Sequence, residues 1–321
     1  MVRFLLGKLV MAFLTVFITT ILVTLLIHLV PGDPVQIMFA QSQGSTPEQI
    51  EEVRRNLGLD KPIYVQYFMY VEKLFQGDLG YTIRGGQPVI EVIFQRLPNT
   101  IKLACAAMII AISIGLPIGF FAAYKKGTIW DTIVMIIAIA GISMPHFWLG
   151  LILLFFFAVQ LGWLPVSGSG YMNLVLPALT LGLSNAAIFA RLTRSSMIDV
   201  MQQDFVQTAL AKGLPKGLVL RRHVLRAGLV PLITMMGLQF AFMMGGAIVV
   251  ENIFSWNGVG RMAVEAIFQR DYPIIQGFIL TFAVVVVIVS IFLDTIYETQ
   301  NKWTNGSDIN DINKNLKKIA K

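Results

Sequence analysis

Thr208-Ala209-Leu210-Ala211-Lys212-Gly213-Leu214-Pro215-Lys216-Gly217 sits in the middle of the segment Arg191 to Arg226, which carries seven Lys or Arg against two Asp. Both flanks are apolar. On the N-terminal side Thr132 to Ala190 contains no Lys, Arg, Asp or Glu, and on the C-terminal side Leu229 to Val250 contains none. Positive charge gathered in a loop between membrane-grade helices places that loop in the cytoplasm. A loop of this size on that side is a candidate docking element.

Composition agrees with a membrane setting. The chain of 321 residues is 56% apolar and 13% charged, with a mean hydropathy of +0.71. Soluble domains carry about a quarter charged residues. The excess of 25 Lys and Arg over 18 Asp and Glu lies mostly beside apolar segments, so the positive-inside bias accounts for it better than nucleic-acid binding does. The single cysteine, Cys105, sits in an apolar run and forms no intrachain disulfide.

Six spans are expected. Leu9 to Val30 is uncharged, and at about 1.5 Å per residue it crosses a hydrocarbon core of about 30 Å. Arg3 and Lys8 hold its N-terminus inside. A signal peptide fits less well, because the apolar run is long and Val30-Pro31-Gly32-Asp33-Pro34 has no small-x-small cleavage site. The further spans are Leu103 to Tyr124, Thr132 to Leu161, Leu174 to Ala190, Leu229 to Val250 and Ile274 to Tyr297. Pro145 is expected to bend the third, and Trp163 to Gly170 to form the turn after it. An even number puts both termini in the cytoplasm. The resulting organisation is residues 1–30 for the N-terminus and first span, 31–97 for an outer insertion, 98–298 for a core with five spans and the loop 191–228, and 299–321 for a mobile tail.

The insertion has six basic and eight acidic residues and reads as a small helical cap. Thr46-Pro47-Glu48-Gln49 has the marks of a helix start and Gly58 of its end. Pro62 through Phe75 and Pro88 through Arg96 are two further short helices. The alternative, a disordered loop, is disfavoured by Tyr64, Tyr67, Phe68 and Tyr70.

The residues for enzyme chemistry do not come together. No Gly-Lys-Ser/Thr phosphate loop is present; Gly7-Lys8 is followed by Leu9. His28, His146 and His223 fall in separate segments, so no metal site and no catalytic residue is assigned. What remains is a polar thread through the middle helices. Ser143, His146, Asn185, Met236, Gln239 and Met243 are candidate residues of a translocation path, with Met236, Gln239, Met243 and Gly246 on one helical face. The other reading is hydrogen bonding between helices, with close packing at Gly237, Gly245 and Gly246. For the basic loop, Asp204 to Ala211 makes a short helix, Gly213 to Gly217 a turn and Leu218 to Arg226 a second helix. That unit either passes on a mechanical push or merely sets topology and touches anionic membrane lipid.

The loop Thr208 to Leu214, followed by His223-Val224-Leu225-Arg226 and Val230-Pro231, resembles the EAA loop of bacterial ABC importer permeases, in the form carried by the dipeptide, oligopeptide, glutathione and nickel group. Val30 to Pro34, Leu57-Gly58-Leu59-Asp60, Gly77-Asp78-Leu79-Gly80, Ser143 to Pro145 and Arg270-Asp271-Tyr272-Pro273 match as well, so the resemblance covers nearly the whole chain. It implies an all-α, polytopic type I permease of the bacterial inner membrane, an importer of short peptides or glutathione-like compounds, with nickel or a metal chelate as the nearest alternative. It implies a second homologous permease, two cytoplasmic ABC ATPases that hold ATP and Mg, and an extracytoplasmic binding protein; this chain itself would bind no cofactor. Gln207, Thr208, Ala209, Lys212, Gly213, Leu214, Pro215 and Gly217 would form the ATPase-coupling loop. Tyr64, Tyr67, Glu251, Trp256 and Gly258 are candidate contacts for the binding protein, being aromatic or in the matching outer turn. Two departures stand out. Gln207-Thr208-Ala209 replaces the usual Glu-Ala-Ala, removing an acidic contact, and Asn257 takes a position usually held by Pro. A self-sufficient channel or secondary carrier is the rival class; such carriers usually place charged residues deep in their spans, and Asp294, near a span end, is the one acid within these.

Overall fold

The structure is a computed structural model that describes residues 2–29, 48, 51, 54–55, 60–83, 85–168, 170–292 and 295. Of the helix expected from Thr46 to Gly58, only Glu48, Glu51, Arg54 and Arg55 are described. All four are helical, and Arg54 pairs with Glu51 at 2.7 Å. Asp294 and the tail lie outside the described residues.

The chain is helical in this order: α1 (Val2–Leu29), α2 (Ile63–Phe75), α3 (Val89–Tyr124), α4 (Ile129–Ser143), α5 (His146–Leu153) with a π-helical extension (Leu154–Gln160), α6 (Tyr171–Met201), α7 (Asp204–Ala211), α8 (Lys216–Val219), a π-helical turn (Leu220–Val224), α9 (Leu225–Ile253), α10 (Val259–Gln269) and α11 (Tyr272–Phe292). The only pairing between extended residues among those described is one antiparallel bridge, Tyr81 to Pro88. Among the described residues five helices are long and apolar enough to cross a membrane, within α1, α3, α6, α9 and α11, and the spans number six if the broken pair α4 and α5 counts as one.

The expected third span is a broken pair. Helix α4 stops at Ser143, Met144 and Pro145 take extended angles, and the two arms meet at a bend of 101°. Pro145 lacks the amide hydrogen that would continue the helix and forces its predecessor out of the α region, so the break falls where the expected bend would. With 15 residues in α4, that arm is about 22 Å long and does not cross alone.

Three expected boundaries dissolve. The short helix at Pro88 to Arg96 and the span beginning at Leu103 are one 36-residue helix, α3, which runs through Pro98 because Asn99 and Thr100 are held by contacts to the 251–259 corner. Arg191 and Arg194 belong to the last turns of α6, not to a loop. The second helix expected from Leu218 to Arg226 starts at Lys216 and continues through the π turn into α9.

The chain forms two compact units. The first comprises Met1–Ala107, Pro145–Leu181 and Met243–Val285. One of its apolar clusters joins Val89, Val92 and Ile93 of α3 to Val259 and Met262 of α10. Helix α2 stands against α1, where the hydroxyls of Tyr67 and Thr20 lie 3.1 Å apart and Phe17 meets Tyr67 edge-on. Burial, reinforced by Tyr67, pushes the nearby Tyr70 hydroxyl up to about 12.

The second unit comprises Met108–Met144, Gly182–Phe242 and Val286–Lys321. Its tightest helix contact is α3 on α6. A Cβ on Gly119 would lie 2.3 Å from the Ala190 carbonyl oxygen, and one on Gly115 2.6 Å from that of Ala186. Two small-xxx-small pairs thus let the backbones approach, the main device for helix association where lipid removes the hydrophobic drive. Of the glycines expected to do this, Gly237, Gly245 and Gly246, the last two, in the first unit, have no atom nearer than 3.5 Å to their would-be Cβ.

Candidate functional site

The loop between α6 and α9 is built by local rules. Helix α7 ends in a Schellman motif: the Gly213 amide donates to Leu210 O at 2.9 Å, the Leu214 amide to Ala209 O at 3.4 Å, and Gly213 has φ +80°. This left-handed position suits glycine, which has no Cβ to clash with the carbonyl. Pro215 follows, where no amide is needed, and its carbonyl accepts from Leu218 and Val219 as α8 begins. The turn is therefore shorter than the expected Gly213 to Gly217.

Helix α7 is seated on a buried apolar cluster. Val206 and Ala209 pack with Met197 and Val200 of α6, Val219, Leu220, Val224 and Leu232 at and before the start of α9, and Ala123 of α3. Gly228 approaches Met197 so closely that a Cβ would lie 2.7 Å from its sulfur, and Ser196 donates to Gly228 O at 2.8 Å. The opposite side of the loop is open. Gln207, Thr208, Lys212, Gly213, Leu214, Pro215 and Gly217 are exposed, along with Phe205, Leu210 and Leu218. Apolar side chains left uncovered on a loop make it a candidate partner surface. Of the eight coupling candidates, seven lie on this surface, and Ala209 is in the seat. The Gln207 amide donates to Met201 O at 3.1 Å, so this residue braces the loop.

An ion pair not foreseen in the sequence lies beside the seat. Asp131 near the start of α4 is buried and takes hydrogen bonds from Arg194 Nε at 2.5 Å and Nη2 at 2.7 Å, and from the Gly127 amide at 3.0 Å. The available signal was a lone acid two residues inside a helix that follows Lys125 and Lys126.

The path candidates divide between the units. In the second, the Gln239 amide donates to Asn185 Oδ1, so this pair fulfils the interhelical hydrogen-bond reading; Met236 packs against the seat cluster and Ser143 is exposed. In the first, Met243 is buried. His146 is half-buried there, with Nδ1 enclosed and without a partner, and its Nε2 lies 4.0 Å from the position a Cβ would take on Gly246.

Three of the docking candidates lie in the corner between α9 and α10. Glu251, Trp256 and Gly258 are buried, because they build the corner. Glu251 accepts from Thr100 Oγ1 at 2.6 Å and from the Arg261 amide at 3.0 Å, capping the start of α10. A Cβ on Gly258 would lie 2.1 Å from the Glu251 carboxylate. The Trp256 indole donates to Asn99 O at 3.0 Å, and the Asn99 amide to Asn257 O at 2.8 Å. These bonds stiffen the turn in which Asn257 replaces proline. Tyr67 is half-buried against α1, and only Tyr64 stands well exposed. Thr100 is a donor to Glu251 and an acceptor from the Val259 amide at 2.9 Å. Thr100→Val is therefore expected to cost about 1–3 kcal/mol, the penalty for stranding buried polar partners, read as a fall in unfolding temperature in detergent that Thr100→Ser does not reproduce.

Helices long and apolar enough to cross a membrane, a basic loop on a buried seat and a hydrogen-bonded corner fit a membrane component. The chain belongs to the binding-protein-dependent transport system inner membrane component family, matching it over residues 115–306, with the N-terminal part of that family matching residues 1–104. It is 40% identical over 302 residues to the glutathione transport system permease protein GsiC of Escherichia coli O6:H1, covering 94% of this chain and 98% of that protein. The GsiC of Pectobacterium atrosepticum is 41% identical over 288 residues, covering 89% and 94%. Among solved structures, the inward-facing MetNI methionine ABC transporter aligns with a TM-score of 0.56 and 17% identity, covering 65% of this chain and 95% of that one. An amino acid ABC transporter with histidines aligns at 0.51 and 16% identity, with coverage of 65% and 94%. These two share the fold. The family places the chain in a membrane as a multi-pass permease and not an enzyme.

Proposed function

We propose that this chain is one of two permease subunits of an ATP-driven importer that carries glutathione or short peptides into a bacterial cell. The observation that carries the substrate class is the end-to-end similarity to glutathione transport permeases, 40% over 94% of the chain. A homologous permease completes the path, two cytoplasmic ATPases hold ATP and Mg, and an extracytoplasmic binding protein delivers the substrate. The basic loop sets the orientation, with both termini in the cytoplasm. Helix α7, with Phe205, Leu210 and Leu214 exposed around it, is the surface on which an ATPase pushes.

The test is reconstitution. Vesicles holding this chain alone are expected neither to hydrolyse ATP nor to accumulate labelled glutathione; adding the second permease, the ATPases and the binding protein restores both. Accumulation by the chain alone would establish a channel or secondary carrier instead. Competition by unlabelled dipeptides and by nickel complexes then identifies the substrate, and a complex that takes up only nickel complexes overturns the peptide assignment.

A further inference from the structure

Little of helix α4 is fully buried. Of its 15 residues only Asp131 and Ala138 are buried, while Ile129, Trp130, Ile133, Ile136, Ile137, Ile139 and Ile142 are exposed. Near its far end a Cβ on Gly141 would lie 3.1 Å from Ala187 Cβ, a contact without direction. At its near end the Asp131 carboxylate is gripped by two parallel donors of Arg194, 2.5 and 2.7 Å away, and by the Gly127 amide. A bidentate guanidinium and carboxylate pair specifies orientation as well as contact.

Arg194 stands three residues before Met197, which lies in the cluster under α7. Any tilt of that seat moves Arg194, and the pair obliges the start of α4 to follow. We propose that Asp131 and Arg194 are positioning residues that latch α4 to the coupling seat, so that displacement of α7 becomes displacement of α4. This rests on the reading of α7 as the ATPase contact. The pair joins groups 63 residues apart in the chain and ties together the turn at Gly127, α4 and α6.

The experiment uses the complete reconstituted transporter and measures glutathione moved per ATP hydrolysed, alongside the yield of assembled complex. Asp131→Asn keeps the shape and removes the charge. Transport per ATP is expected to fall roughly tenfold, within the range that coupling mutations reach, while ATP hydrolysis per assembled complex continues. Asp131→Glu is expected to recover part of the ratio. Should Asp131→Asn not assemble, Arg194→Lys carries the same measurement, since it keeps the charge but loses the two parallel donors. An unchanged ratio, or transport and hydrolysis falling together in step with complex yield, overturns the latch. Gly213→Val measured in parallel separates the two ideas: if it lowers substrate-stimulated hydrolysis and uptake while the Asp131 and Arg194 variants leave transport per ATP unchanged, only the latch fails, and if it leaves both activities at the unsubstituted level, the reading of α7 fails.

Discussion

Gly213→Val is expected to uncouple transport while leaving the chain inserted and assembled. Nothing lies within 4 Å of a Cβ built on Gly213, yet its φ is +80°. The penalty is therefore wholly in the backbone, about 1–2 kcal/mol for a side chain in the left-handed region and more for a β-branched one. That suffices to shift the turn population roughly 5- to 30-fold. Losing the turn frees Leu214 from Ala209 and lets α7 leave the direction its seat imposes. Substrate-stimulated ATP hydrolysis and uptake should both drop at normal expression. Gly213→Asn makes the discriminating control, because asparagine visits the left-handed region readily and the surrounding space admits it. Full activity of the valine variant would leave the loop as a topology signal.

Gly119→Leu is expected to have the larger effect on the protein itself. The substituent must enter where the Ala190 carbonyl oxygen and the Thr193 Cβ are 2.3 and 2.6 Å from the first added carbon. Neither is the free end of a flexible side chain, so α3 and α6 must separate. Overpacking of this kind costs roughly 1–3 kcal/mol and more where backbone cannot move. The readout is the yield of folded permease in membranes and its unfolding temperature in detergent. Gly245→Ala, whose Cβ would have Phe282 no nearer than 3.6 Å, should be close to neutral. Equal tolerance at both positions would contradict the close α3 and α6 contact.

The sequence made some of this plain and hid the rest for physical reasons. Spans were visible because hydrocarbon demands long uncharged runs, and α7 because Gly213 and Pro215 punctuate the chain in a way few other structures use. Pro145 announced an interruption, but a single proline cannot say whether a helix bends or breaks. The merging of two expected helices into α3 was not legible, since it depends on Asn99 and Thr100 finding partners about 150 residues away. For the same reason Glu251, an acid in an apparent outer turn, read as surface and is instead buried. The Gly115 and Gly119 spacing is visible in the sequence, but so are the small residues of α9, where Gly245 and Gly246 make only ordinary contacts, and spacing alone does not say which set packs. Gln239 and Asn185, both named as path residues, satisfy each other, so polarity inside a span was a true signal with two possible uses.

The break between α4 and α5 has a consequence for hydration. In a continuous helix the Gly141 carbonyl would meet residue 145, and Pro145 has no amide to give, while the extended angles of Met144 and Pro145 turn the amides of His146 and Phe147 away from the carbonyls of Ile142 and Ser143. In hydrocarbon each such oxygen would forfeit several kcal/mol. Backbone of this kind persists in a membrane protein only beside water or beside donors from a protein neighbour. The apolar stretch from Thr132 to Ala190, the most lipid-like in composition, thus contains a point that lipid tails cannot cover, and whatever solvates it must enter the bilayer with the protein.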